Sequence, residues 1–439
     1  MNRPGLLRIP QNAGLATLIS SLSALQSSQN LLNSNQLTRV LRLSSRISQL
    51  LFKVLLFAIF LLNIRAIPGG WHWRLFWPVT KVRIQYLFQR TRSSFALTLA
   101  GKTGRKKLDA LNLKMEKWLE GITPVGAHPF EFRTLYKTSV TLDESDFNIH
   151  MSNSSYPKVL DCARMKAAME LFPQFLRVGG VIPLSSTHFH FVKELPAFAR
   201  YELRLSIGAW DEKWMYVVGR FVTKSKPSSK TKPSTSLTDA TPQALTSPAG
   251  TPAATTGPPS LSAVDEARKL DAAVSNRLVT EFGDTDVVNG HVTLHTICVS
   301  RVCFKLGRIT VPPAVLMATN GISVHPWELA DAPPSASEQP KYSPSNPPLT
   351  WTLNSQTMIL KSLGGSPKRL REFYKGHWRS ILDEAKTKVA GEGGDAAAYV
   401  PWWDRAMGVG GPVDEMRKRR LDVCRKLVGG MEGVRDMVS

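Results

Sequence analysis

Between Thr141 and Leu171 the chain reads "TLDESDFNIHMSNSSYPKVLDCARMKAAMEL", and its hydrophobic period changes partway along. The preceding run, "FEFRTLYKTSVTL" (130–142), alternates as a strand does. Residues 154–172 instead place Tyr156, Leu160, Ala163, Ala167 and Leu171 on one helical face. A strand that turns directly into a long one-faced helix requires a sheet for that helix to pack on. The junction also carries Asp143, Asp146, His150, Ser152 and Asn153. One capping side chain satisfies a helix N-terminus, so this surplus of polar groups marks a candidate site.

Three strand signals follow: "GGVIPLSSTHFHFVK" (179–193), "ARYELRLSIGAW" (199–210) and "KWMYVVGRFV" (213–222). In the middle one Tyr201, Leu203, Leu205 and Ile207 alternate with Glu202, Arg204 and Ser206, the pattern of a half-buried strand. A tight "WDEK" turn makes it a hairpin with its successor. Residues 224–262 lack aromatics and are rich in Ser, Thr, Pro, Ala and Gly, the composition of a disordered insertion. Strand character returns at "GHVTLHTICVSRVCFKLGRITV" (290–311), so the insertion interrupts a sheet. Loop-closure cost grows slowly with length, which makes that tolerable.

A Pro-rich linker (331–350) leads to a helical extension (351–439). There Ser366 and Pro367 open a helix bearing Leu370, Phe373, Tyr374, Trp378, Ile381 and Leu382 at helical spacing. In the last helix, residues 412–437, the run Arg417, Lys418, Arg419, Arg420 reads as a solvated face.

The formal net charge is +22, and its placement matters more than its size. No Asp or Glu precedes Asp109, while sixteen Lys and Arg do. A nucleic-acid surface needs basic groups on the folded domain, so no nucleic-acid partner is expected. Residues 1–46 form a basic, Ser- and Asn-rich arm, similar in composition to a mitochondrial transit peptide. Residues 47–64, "ISQLLFKVLLFAIFLLNI", would reach about 27 Å as a helix, close to the bilayer's apolar thickness of about 30 Å. Lys53 sits near one end, where its stem can snorkel. Trp71, Trp73 and Trp77 follow as an aromatic belt would. The expectation is a single-pass anchor in membrane lipid, of the endoplasmic reticulum or the mitochondrion. The flanking cations balance and set no orientation.

Cys162, Cys298, Cys303 and Cys424 are too few and too scattered for a disulfide framework and match no zinc spacing. His188 and His190 share a strand face without a third ligand nearby in sequence. The Gly pairs fit no phosphate-binding pattern, and no Gly-x-Ser-x-Gly elbow occurs. The folded region is expected to start near residue 125.

One helix against one antiparallel sheet is an α+β arrangement, and this order of elements resembles the hotdog fold over residues 125–318. "DFNIHMSNSSY" resembles the signature of the 4-hydroxybenzoyl-CoA thioesterase type, in which an Asp precedes a His by four residues and a small-Asn-x-x-Tyr run follows. Here those are Asp146, His150, Ser152, Asn153 and Tyr156. The His-Met-x-Asn run, the apolar N-terminal segment and the "AWDEK" turn (209–213) are similar to the membrane-anchored, thioesterase superfamily member six-like branch. The resemblance implies an acyl-thioester hydrolase acting on acyl-CoA or acyl-carrier thioesters. Asp146 and His150 would be catalytic, and Ile149, Met151, Asn153 and Tyr156 would bind substrate. It implies no metal, no cofactor, and a homodimer whose subunits share the pockets. The family often has Gly before the His, where this chain has Ile149. That departure, with the long extra segments, favours the alternative of a non-catalytic acyl-binding or scaffolding module.

Overall fold

The structure, a computed structural model, describes residue 20 and residues 34–224, 278, 280–282, 285–329, 341–349, 351, 367–395 and 397–436. Most of the expected arm, residues 225–262 of the expected insertion, and residues 331–340 and 350 of the linker lie outside the described residues. The chain divides into two units at Ile67. The first contains helix α1 (Ser34–Leu62), which starts earlier than the apolar run and takes in part of the expected arm. The reason is local: residues 34–46 contain neither Gly nor Pro to break the helix. Within it, Arg39–Leu62 is long and apolar enough to cross a membrane.

The second unit begins with two helices that the sequence reading did not foresee, α2 (Gly70–Leu99) and α3 (Gly104–Ile122). The fold therefore starts well before residue 125. α2 carries apolar residues on two sides, so it lacks the single stripe that marks an ordinary surface helix. Trp71 is half-buried and donates its indole N–H to the carbonyl of Lys158, 3.1 Å away. It serves the fold rather than an aromatic belt, whereas Trp73 and Trp77 stay exposed.

Strands β1 (Arg133–Ser139), β2 (Leu184–Phe191), β3 (Arg200–Trp210), β4 (Met215–Lys224) and β5 (Val292–Val302) form one antiparallel sheet in the order β1-β3-β4-β5-β2. Strands β4 and β5 pair directly although the insertion separates them in sequence. Helix α4 (Ser155–Leu171) packs on this sheet through the face read from the sequence, with Tyr156, Leu160, Ala163, Ala167 and Leu171 all buried. Gly219 of β4 sits under the helix. A Cβ there would stand 2.7 Å from Cys298 Sγ and 2.9 Å from Leu205 Cδ2, with Leu160 next at 3.5 Å.

The opposite sheet face is covered by the helix Pro412–Asp436. Leu421, Val423, Cys424 and Val428 join Ala209, Tyr216, Val218, Ile297 and Val299 in a second apolar cluster. The basic run at 417–420 is thus only partly solvated. Arg417 donates to the Trp210 carbonyl at 2.9 Å and pairs with Asp414, while Arg420 lies over the Phe130 ring at 4.7 Å. A strand face that needs cover recruits the stems and heads of such cations. All four cysteines are free and buried.

Candidate active site

The polar junction folds as a strap from Thr141 to Ser154 that carries the chain from β1 to α4. Its first part is a short 3₁₀ turn, Leu142–Glu144. Glu144 is fully buried and pairs with Arg74 of α2 at 2.8 Å. Burial opposes the Arg74 charge, but hydrogen bonds to Glu144 and Tyr136 outweigh it and raise the guanidinium pKa. The Glu144 carbonyl accepts the Ser152 N–H at 2.9 Å, closing the strap across its base.

Beyond Ser145, which bridges to Met151, the chain makes a tight turn. The Asp146 N–H donates to the His150 carbonyl at 2.8 Å, and the Ile149 N–H to the Asp146 carbonyl at 3.1 Å. One carboxylate oxygen of Asp146, Oδ1, accepts the N–H groups of Asn148 (2.9 Å) and His150 (3.2 Å). The carboxylate is therefore fixed by its own turn through one oxygen. Oδ2 has no hydrogen-bond partner among the described residues.

The other expected site residues separate into two sets. His150 is half-buried with Nδ1 3.1 Å from Glu194 Oε2, near it but out of line for a hydrogen bond. Glu194 was not anticipated: it follows β2 in "VKELP", and only the sheet brings it to the turn. Ile149 and Asn153 are exposed, whereas Met151 and Tyr156 turn into the core. Tyr156 packs edge-on against Phe191 and Phe221, and burial raises its phenol pKa. The Asp143 side chain is nearly buried, neither of its carboxylate oxygens is hydrogen-bonded among the described residues, and Oδ2 lies 4.0 Å from Lys158 Nζ.

At the start of α4 the Ser155 N–H goes to the Ser152 carbonyl, and Pro157 has no N–H to offer. The N–H of Tyr156 has no acceptor among the described residues, as befits a helix's first turn. Such a donor, at the positive end of the helix dipole, suits a developing negative oxygen.

Ile149 has φ 62°, in the left-handed region. A β-branched residue is strained there, and glycine is not. The turn itself imposes this conformation, because Ile149 offers its N–H to Asp146 and its carbonyl to the Ala197 N–H at 2.8 Å.

Next to α4 lies an apolar cavity of about 470 Å³, lined by Met165, Ala168, Leu205, Ile207, Met215 and Val217, among others. Small-molecule sites typically occupy roughly 300–1,000 Å³. Its polar wall is the Asp161–Arg164 ion pair, and Arg164 also donates to Thr187 and Ser300. Cys298 and Cys424 have thiol pKa values pushed up to about 12 by burial, which rules them out as thiolate nucleophiles near neutrality. A cluster of His128, Glu131 and His325, with ligand atoms within 4.8 Å of one another, has the donor types to hold a metal. Its imidazoles already face carboxylates, His128 to Glu328 and His325 to Glu131, each at 3.2 Å. None of these four residues belongs to the Asp146 turn.

A sheet in the order β1-β3-β4-β5-β2 around one long helix is the hotdog fold, and its strand-to-helix strap carries the polar turn. Residues 140–254 match the family profile described as Thioesterase-like superfamily. The chain is 36% identical over 84 residues to a probable thioesterase of Saccharomyces cerevisiae, covering 18% of this chain and 36% of that protein. It is 33% identical over 205 residues to thioesterase poxG of Penicillium oxalicum, covering 41% and 51%. It is also 33% identical over 88 residues to protein THEM6 of Danio rerio, covering 20% and 44%. The chain thus spans about a third to a half of the length of these relatives.

The strain at Ile149 gives a direct test. Ile149→Gly should preserve or raise stability, by up to about 1 kcal/mol, because relief of the left-handed backbone offsets the added chain entropy. Ile149→Ala keeps a Cβ and should show no such gain. Thermal unfolding of the two variants side by side checks this, and equal melting temperatures would place the strain elsewhere.

Proposed function

We propose that the protein hydrolyses acyl thioesters of the acyl-CoA or acyl-carrier type, with Asp146 as the reacting carboxylate. The observation that carries this reading is the pinning of Asp146 by two backbone N–H groups of its own turn, beside the open first turn of α4. Asp146 Oδ2 takes a proton from water as the water oxygen bonds to the thioester carbonyl carbon. The carbonyl oxygen gains charge and is met by the Tyr156 N–H. The C–S bond then breaks, and the thiolate leaves with the proton that Asp146 returns. General-base assistance of this kind contributes roughly 10²–10⁴-fold.

His150 steadies the turn through its backbone and sets the field around it with Glu194. Ile149 and Asn153 meet the substrate from the exposed side, and Tyr156 through its N–H. Met151 backs the turn from the core. The cavity beside α4 takes the acyl group, and no metal or cofactor enters the step. The domain boundaries follow the same reading: an anchor ending near residue 64, a hotdog domain closing near 318, and a helical extension that lids its outer sheet face. Anchoring by Arg39–Leu62, in the endoplasmic reticulum or mitochondrial membrane, keeps the domain beside lipid-derived thioesters.

The second reading, a non-catalytic acyl-binding module, is favoured by one observation: the exposed Ile149 side chain at the position where a carbonyl would approach. Thiol release from acyl-CoAs of graded chain length by the full-length protein in detergent separates the two. Turnover above background for at least one chain length is expected. Binding of the same acyl-CoAs without release of thiol would leave only the second reading.

We also infer a homodimer. Phe147 (88% exposed), Ile149 and Phe198 surround the turn, while Leu184 and Phe191 lie on edge strand β2. An unpaired edge beside exposed apolar groups invites pairing, and a two-fold pair is the commonest closed assembly. Light scattering of the detergent-solubilised full chain, corrected for bound detergent, should give twice the chain mass. A single-chain mass at micromolar concentration would contradict shared pockets.

A further inference from the structure

Helix α2 has two apolar faces, and only one is used by the fold. Its inner face, with Trp71, Arg74 and Leu97, packs on α4, the strap and α3. At about 100° per residue, Trp73, Trp77, Ile84, Leu87, Phe88 and Phe95 fall within one arc on the opposite side. Their exposures run from 46% to 67%. The same turn angle sets Lys81 and Arg92 along one edge of that arc and Arg83 and Arg90 along the other, all exposed.

Three threonines also fall on the apolar arc, and each masks its hydroxyl. Thr80, Thr91 and Thr98 donate to the carbonyls of Phe76, Leu87 and Ser94, four residues back, at 2.9–3.1 Å. The threonine hydroxyls of the stripe are thus masked, and its remaining polar groups are the indole N–H groups of Trp73 and Trp77 at one end.

We propose that this outer face of α2 lies in the headgroup layer of an anionic membrane. An apolar stripe flanked on both sides by long cations is what a helix lying in a bilayer interface requires. Two features favour lipid over a protein occupant. The chain carries no carboxylate before Asp109, so α2 itself contributes only cations to its rims, and Glu170, across a cleft from Trp73, Trp77 and Lys81, is engaged by Thr134 and Lys166. Only seven residues separate Leu62, the end of the membrane-length helix, from Gly70, the start of α2. Fully extended, they reach about 25 Å, so a chain anchored by α1 holds α2 near the same surface. The stripe spans about 33 Å from Trp73 to Phe95 at 1.5 Å per residue, and it orients the domain rather than merely tethering it. The inference rests on the membrane reading above only through α1.

The test uses the full-length protein reconstituted into phosphatidylcholine vesicles with or without phosphatidylserine. An environment-sensitive fluorophore is placed on Phe88→Cys, Phe95→Cys or Lys388→Cys, the native thiols being buried. Lys388 is highly exposed on the C-terminal extension. In phosphatidylserine vesicles the probes at 88 and 95 should be quenched by spin-labelled lipid and shielded from iodide, and the probe at 388 should show the reverse. Pairing Phe88→Cys with Arg83→Glu and Arg90→Glu should weaken lipid quenching about fivefold or more, since each cation near an anionic surface contributes measurably. Iodide quenching at 88 and 95 equal to that at 388, in protein that floats with the vesicles, would overturn the α2 inference alone. Shielding from both quenchers would show that protein covers the face and would equally overturn it. Failure to float would contradict both this inference and the anchor.

Discussion

The ion pair between Arg74 and Glu144 is the interaction on which the candidate site depends. Glu144 is completely withdrawn from water, and a lone buried carboxylate is costly unless a cation meets it. Arg74 meets it from α2, so a helix outside the hotdog sheet supports the strap that presents Asp146. The Thr141 N–H and the Ser152 N–H close on the Glu144 side chain and carbonyl, and the strap becomes a rigid loop of fixed reach. A second tie, from Trp71 to the Lys158 carbonyl, joins the same helix to the first turns of α4. Position of the carboxylate and position of the helix start are thus set by one element.

That element was the least legible part of the sequence. Helix and strand order within the hotdog domain could be read because α4 has one buried stripe and β3 alternates cleanly. α2 is apolar toward the domain and apolar away from it, so periodicity gives no single face and the tryptophans read as a belt. The cover supplied by the C-terminal helix was hidden for a related reason. Its cations at 417 and 420 look solvated in sequence, yet Arg417 reaches the end of β3 and Arg420 lies on an aromatic ring. Within the candidate site, Asp146 and His150 were singled out by the resemblance of "DFNIHMSNSSY" to a family signature, not by spacing alone. Glu194 was not, because its place beside His150 is made by tertiary pairing between residues 150 and 196.

Ile149 is where local and functional demands meet. The turn needs a left-handed residue to bring the His150 N–H back onto Asp146, and this chain accepts the strain of a branched side chain there. The geometry that glycine would supply for free is kept, so the backbone of the site is intact while its outer approach is narrower.

The central claim is that the carboxylate fixed by its own turn, and not the one three residues earlier, does the chemistry. Single-turnover hydrolysis of the best acyl-CoA substrate by Asp146→Asn and by Asp143→Asn tests it most directly, with melting temperatures measured alongside. Asp146→Asn should lose at least about a hundredfold in rate with its melting temperature almost unchanged, and Asp143→Asn should keep most of the rate. Equal losses in both variants, or a full rate in Asp146→Asn, would contradict the account.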